Sequence, residues 1–157
     1  MITDFIYGGM DGVITTVAIV AGIIGANIST KYALILGLAN LCADAFSMGI
    51  SRYNSLSDID DAKNNPYVSA LITFVSFLLL GFIPLIPFLY ISLHDEKYMK
   101  KMLMIFSMIA FFIIGCIKGV YSRKWAKSIL EVILIGCVGV YISFNVSKYV
   151  KSQVNMS

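Results

Sequence analysis

Between Gly12 and Asn27 the chain carries no charged residue, and Tyr67 to Leu93 repeats the pattern over a longer stretch. Extended back through Ile2, the first run is long enough to cross a hydrocarbon core of roughly 30 Å as a helix. Backbone in lipid has no water to bond to, so an unbroken apolar run of this length closes its hydrogen bonds within a helix. The pattern predicts five such helices, at about residues 3–26, 32–55, 66–92, 102–120 and 129–146. Composition agrees: of 157 residues, 59% are hydrophobic and 13% charged, and the mean hydropathy is +0.85. The chain reads as an all-α integral membrane protein, a single five-helix domain over residues 1–157 without repeats. No basic segment precedes the first run and Asp4 lies at its head, so that run reads as a permanent helix and not a removable signal.

The remaining features bound the class further. Pro66 suits the first turn of the third helix, while Pro84 and Pro87 predict a kink or break in its second half. Trp125 stands where an interfacial anchor would sit. Cys42, Cys116 and Cys137 lack CxxC spacing and read as small buried hydrophobes. The polar stretch SDIDDAKNN, residues 57–65, does not match an EF-hand loop. Two readings stay open for it: a solvated helix exit, or an acidic mouth in which Asp58, Asp60 and Asp61 concentrate cations. The net charge of +3 is spread through loops and offers no case for nucleic acid binding. Lys and Arg divide six and six between the two sides of a five-span topology, so charge alone assigns no orientation.

The chemistry lies in the first two helices. Asp4 and Asp11 are seven residues apart and share a helix face, with Gly8 between them and Thr15 a turn further on. On the second helix Asn40, Asp44, Ser47 or Met48, and Ser51 form a polar stripe, which in a membrane must face protein or water. Asp11 and Asp44 admit two readings: carboxyls kept protonated and bonded to a neighbouring helix, or ligands for a cation. A carboxylate taken out of water holds its proton more tightly, so cation and proton compete for the same oxygens, which is the core of exchange transport. Met48 places a thioether one turn after Asp44, and mixed carboxylate and thioether ligands suit a transition metal better than calcium or magnesium. Glu131, four residues from Lys127, reads as a structural ion pair or a snorkelled side chain. One chain offers only three or four ligands, and a two-fold dimer would double the set. The glycines of the first helix allow another backbone to approach, from within the chain or from a second copy.

Three stretches, DFIYGGMDGVITTVAIVAGIIGA (Asp4 to Ala26), ADAFSMGISRY (Ala43 to Tyr53) and NPYVSALITFVSFLLLGFIPLIPF (Asn65 to Phe88), resemble the vacuolar iron transporter family; LEVILIG (Leu130 to Gly136) matches more loosely. The resemblance implies a homodimer with the ion pathway between subunits, a cytoplasmic N-terminus, and proton-coupled export of ferrous iron or manganese from the cytosol. The implied membrane is a vacuolar-type or plasma membrane. No permanently bound cofactor is expected, since Fe2+ or Mn2+ is cargo and H+ the coupling ion. The family's acids fall on Asp4 and Asp11, and its methionine on Met48. Asp11, Asp44, Met48 and Asn40 are the expected metal ligands, and Asp4 and Asp11 the entrance and proton-coupling groups. Two departures stand out: the long glutamate-rich insertion of plant members is reduced here to SDIDDAKNN, and Asn40 and Arg52 occupy positions where members often carry glutamate. The rival readings are transport of zinc, cobalt or nickel, and a transport-inactive membrane scaffold or regulatory subunit. No nucleophile and base pair or His cluster points to an enzyme.

Overall fold

The computed structural model describes residues 1–29, 31–58, 64–90 and 96–154. They form α1 (Ile2–Gly25), α2 (Lys31–Ser57), α3 (Pro66–Phe82), a 3-10 turn (Ile83–Leu85), a short α4 (Pro87–Tyr90), α5 (Glu96–Ser122) and α6 (Trp125–Val154). Among the described residues, five stretches are long and apolar enough to cross a membrane: Ile2–Gly25, Tyr32–Ser57, Pro66–Leu85, Lys101–Ser122 and Trp125–Val154. The protein is an integral, multi-pass membrane protein.

Local chemistry sets the boundaries. At the end of α1 the Ile28 amide bonds back to the Ile23 carbonyl and the Asn27 amide to that of Ile24, a Schellman closure. Asn27 takes the left-handed conformation this requires, at φ 51°, which its short polar side chain tolerates. Asn65 caps α3, its side-chain oxygen accepting from the Tyr67 and Val68 amides, and Pro66 follows as the first helical residue. At the other end of α3 the prolines interrupt the helix, and Pro84 and Leu85 of the resulting 3-10 turn are buried. Irregular backbone at membrane depth survives where protein covers it, and Leu85 packs over Gly37 of α2.

Helix α1 runs through the middle of the bundle, packing mainly on α3 and α6. Gly8 and Gly12 lie against the α3 backbone: a Cβ on Gly8 would sit 2.5 Å from the Thr73 carbonyl oxygen, and one on Gly12 would strike that of Phe77. Near its other end, a Cβ on Gly25 would sit 2.5 Å from the Phe144 carbonyl oxygen of α6. These glycines are therefore used for contacts within the chain. Val20, Phe77 and Leu85 centre one buried cluster, and Val13, Ile114 and Val132 a second between α1, α5 and α6.

Two expectations are corrected. Cys42 and Cys137 are exposed in the chain and Cys116 is partly covered, so the cysteines are not a buried set. Lipid is as apolar as the bundle interior, so an apolar segment does not tell which of its small residues face inward. Glu131 pairs with Lys118 across the α5–α6 hairpin at 2.9 Å, not primarily with Lys127 on its own helix.

Candidate metal-ion pathway

Helices α1 and α2 are antiparallel, and one contact fixes their register. Arg52 donates to Oδ1 of Asp4 from Nε at 2.7 Å and approaches the same oxygen with Nη2 at 2.5 Å. From Asp4, seven residues along α1 lead to Asp11; from Arg52, eight residues back along α2 lead to Asp44. At a rise of about 1.5 Å per residue both steps cover roughly 11 Å, so the second pair of acids meets at one depth. Asp11 indeed lies within electrostatic reach of Asp44. Asp44 accepts a hydrogen bond from Asn40 Nδ2 one turn away on the same helix. Asp11, partly covered, makes no hydrogen bond or ion pair with the described residues.

Above these acids sits a cavity of about 450 Å3, lined by Thr3, Asp4, Tyr7, Met48, Ser51, Arg52 and Ser55. Tyr7 lies between Asp4 and Asp11 on α1, and Met48 between Arg52 and Asp44 on α2, so the lining continues the same two stripes inward. The mouth is not an open carboxylate. Asp4 is only 3% exposed, held by Arg52 on one oxygen and lying 2.8 Å from the Met1 amino group on the other. A buried carboxylate is tolerated only with such partners.

The structure thus brings Asp4 and Met48 to one cavity, and Asp11, Asp44 and Asn40 to the next level of the same seam. Asp58 is exposed in the turn after α2, apart from the seam, while Asp60 and Asp61 fall outside the described residues. Arg52 and Tyr7 were not among the expected site residues. Arg52 carried a signal, since it stands four residues after Met48 and eight after Asp44 on the polar stripe. Among the described residues no three His, Cys, Asp or Glu side chains gather as a ready metal cage. The chain presents two carboxylates within electrostatic reach of each other, an amide and a thioether, all inside helices long and apolar enough to span a membrane.

Fold and seam together define a multi-span helical membrane protein with acidic groups at membrane depth along one helix pair, the arrangement expected where ions pass. Comparison with known proteins sharpens this. The model of the VIT family matches residues 2–63 and 56–148, and the chain belongs to this family, the vacuolar iron transporter family. The Vacuolar iron transporter of Toxoplasma gondii is 52% identical over 50 residues, which is 32% of this chain and 17% of that protein. The chain therefore matches less than a fifth of the length of that relative. The Vacuolar iron transporter of Centaurea cyanus is 23% identical over 220 aligned positions, covering 98% of this chain and 89% of that protein. Vacuolar iron transporter 1 of Eucalyptus grandis is 24% identical over 219 positions, with 97% and 87% covered. Both alignments are longer than the chain's 157 residues, so the plant proteins carry additional residues within the matched region. The two family-model segments meet at residues 56–63, in the α2–α3 connection.

Proposed function

We propose that the protein is a transporter that moves a divalent transition metal, ferrous iron or manganese, out of the cytosol in exchange for protons. The observation that carries the reading is that Asp11 and Asp44, on two spanning helices whose register the Asp4–Arg52 contact sets, lie within electrostatic reach of each other. Two carboxylates so placed repel each other unless a proton or a cation lies between them, so occupancy by one displaces the other. Met48, on the inner wall of the cavity, adds a soft ligand that favours a transition metal over calcium or magnesium. The names of the relatives support iron as cargo.

The seam is only partly covered by its own chain: Asp11, Asn40 and Asp44 are half-buried, and Ser47 and Ser51 are exposed. A polar stripe cannot face lipid, and a second copy laid against it about a two-fold axis would both cover the stripe and double the ligands. The working unit we propose is a homodimer with the pathway between subunits, in a vacuolar-type or plasma membrane.

The test is uptake of Fe2+ and Mn2+ into proteoliposomes under an imposed pH gradient, with Asp11→Asn as control. Flux that requires the gradient and is lost in the variant is the expected result. A second reading, a transport-inactive scaffold with the same fold, is favoured by the closure of Asp4 by Arg52 and of Asp44 by Asn40. Absence of divalent flux from folded, dimeric protein would establish it instead.

A further inference from the structure

We infer that Arg52 is a tethered cation that occupies the entrance carboxylate Asp4 and decides which ions pass it; the inference deepens the transport reading and rests on it. Burial gives the direction. The Asp4 side chain is 2% exposed and that of Arg52 is 32% exposed, so the carboxylate is fixed in protein while the guanidinium faces the opening. Contact geometry gives the weakness. Nε and Nη2 both fall on Oδ1, whereas the strongest arginine pairing sets one N–H on each carboxylate oxygen. Position gives the consequence: Arg52 shares its cavity with Tyr7 and Met48, and Asp44 stands one turn beyond Met48. A cation travelling this seam meets the Asp4–Arg52 pair before Asp11 or Asp44.

With Arg52 in place the Asp4 charge is compensated for an arriving ion; with Arg52 displaced the carboxylate keeps only the Met1 amino group at 2.8 Å, and the cavity, having lost one positive charge, becomes more attractive to cations. The guanidinium is singly charged and weakly hydrated. A divalent ion gains twice the Coulomb attraction for the carboxylate and displaces it. A sodium or potassium ion has no charge advantage over the group it must remove. Arg52 thereby acts as a specificity-determining residue, setting a threshold that divalent ions clear and monovalent ions do not.

The cavity's potential can be read without transport. In a background with Cys42, Cys116 and Cys137 replaced by alanine, Ser51→Cys places a thiol in the same cavity, and cationic and anionic methanethiosulfonates compete to label it. Arg52→Gln is expected to raise the cationic-to-anionic rate ratio about tenfold, Asp4→Asn to lower it, and the double variant to return it near the starting value. In proteoliposomes Arg52→Gln is expected to lower the apparent KM for Mn2+ and to make Mn2+ uptake sensitive to Na+. An unchanged labelling ratio overturns the proposal, as does a changed ratio with no gain in Na+ sensitivity. Should Arg52→Gln alone fail to fold, the step from Asp4→Asn to the double variant reads the same loss of charge, and a ratio that does not rise there overturns it equally. A parent protein that carries no divalent metal while labelling still follows Arg52 overturns the transport reading and leaves the charge control of the cavity standing.

Discussion

Toward α3, helix α1 presents Gly8 and Gly12, and the two backbones lie too close for any side chain between them. Toward α2, the adjacent face of the same helix presents Asp4 and Tyr7, which line a cavity of about 450 Å3, and Asp11 one turn further along. Glycine and carboxylate alternate through one stretch of sequence, yet a rotation of roughly 100° per residue sends them to different neighbours. The first contact has nothing to rearrange, because backbone against backbone admits one spacing. The second is joined by side chains that can exchange partners. The exchange we propose needs both properties on one helix: a fixed wall against which the polar groups are positioned, and polar groups free to trade a guanidinium, a proton or a metal. Close packing through small residues supplies the first in a medium that gives no hydrophobic drive between helices.

The most severe way to break this comparison is to thicken the fixed wall. Gly12→Leu drives a side chain into the Phe77 carbonyl and is expected to cost about 3 kcal/mol or more, leaving little monodisperse protein on size exclusion in detergent. If that variant runs and melts like the parent, α1 and α3 are not held as described. The opposite signature is expected across the seam. Asp44→Asn should reduce Fe2+ and Mn2+ flux at least tenfold while leaving the melting temperature unchanged or raised, because it removes a carboxylate within electrostatic reach of Asp11. A variant that loses flux only as far as it loses stability would show that Asp44 belongs to the framework.

Asp4 lies between these extremes, being buried like the framework and charged like the seam. Asp4→Ala leaves Arg52 without its carboxylate. A fully buried partner so stranded costs about 3–5 kcal/mol, but Arg52 is a third exposed and water relieves part of the loss, so about 1–2 kcal/mol is expected. Adding Arg52→Gln should recover much of it, and thermal melts of the single and double variants form the cycle that measures the coupling. Additive losses would mean that the pair contributes nothing to the join of α1 and α2.

The spanning helices were legible because each rests on one property, a long run without charge. The break at Pro84 was legible because proline cannot continue the hydrogen-bond ladder. The outer ends were not: α5 begins at Glu96 and α6 runs to Val154, beyond the 102–120 and 129–146 expected, since a helix need not stop where the hydrocarbon does. In the seam, Asp4 could be set with Asp11, and Asn40 and Asp44 with Met48, from spacing alone, since same-face position is a local property of a helix; joining the two stripes took the chemistry of intramembrane acids and the family resemblance. The Asp4–Arg52 pair could not, because its members stand 48 residues apart and an arginine at a helix exit looks the same whether it meets water or a carboxylate. Lys118 and Glu131 make the same point on the far side of the bundle. Spacing on α6 favoured Lys127, but the α5–α6 hairpin sets Lys118 at 2.9 Å.

The smallest expected effect decides to which side of the comparison α6 belongs. Ser143 on α6 donates a hydrogen bond to the Ala18 carbonyl of α1 at 2.5 Å, close to Gly22, where an added Cβ would lie 3.0 Å from the same hydroxyl. Ala18 stands seven residues beyond Asp11, almost in line with it along the helix, so this bond could hold the wall still or take part in movement of the seam. The construction is that of the α1–α3 contact, with small residues, close backbones and no charge, and we therefore place it with the framework. Hydrogen bonds between helices in membranes average about 0.6 kcal/mol, so Ser143→Ala should lower the melting temperature by roughly 1–3 °C and leave metal flux at the parent level. A fivefold fall in flux at an unchanged melting temperature would assign α6 to the moving side and make α3 alone the fixed wall of α1.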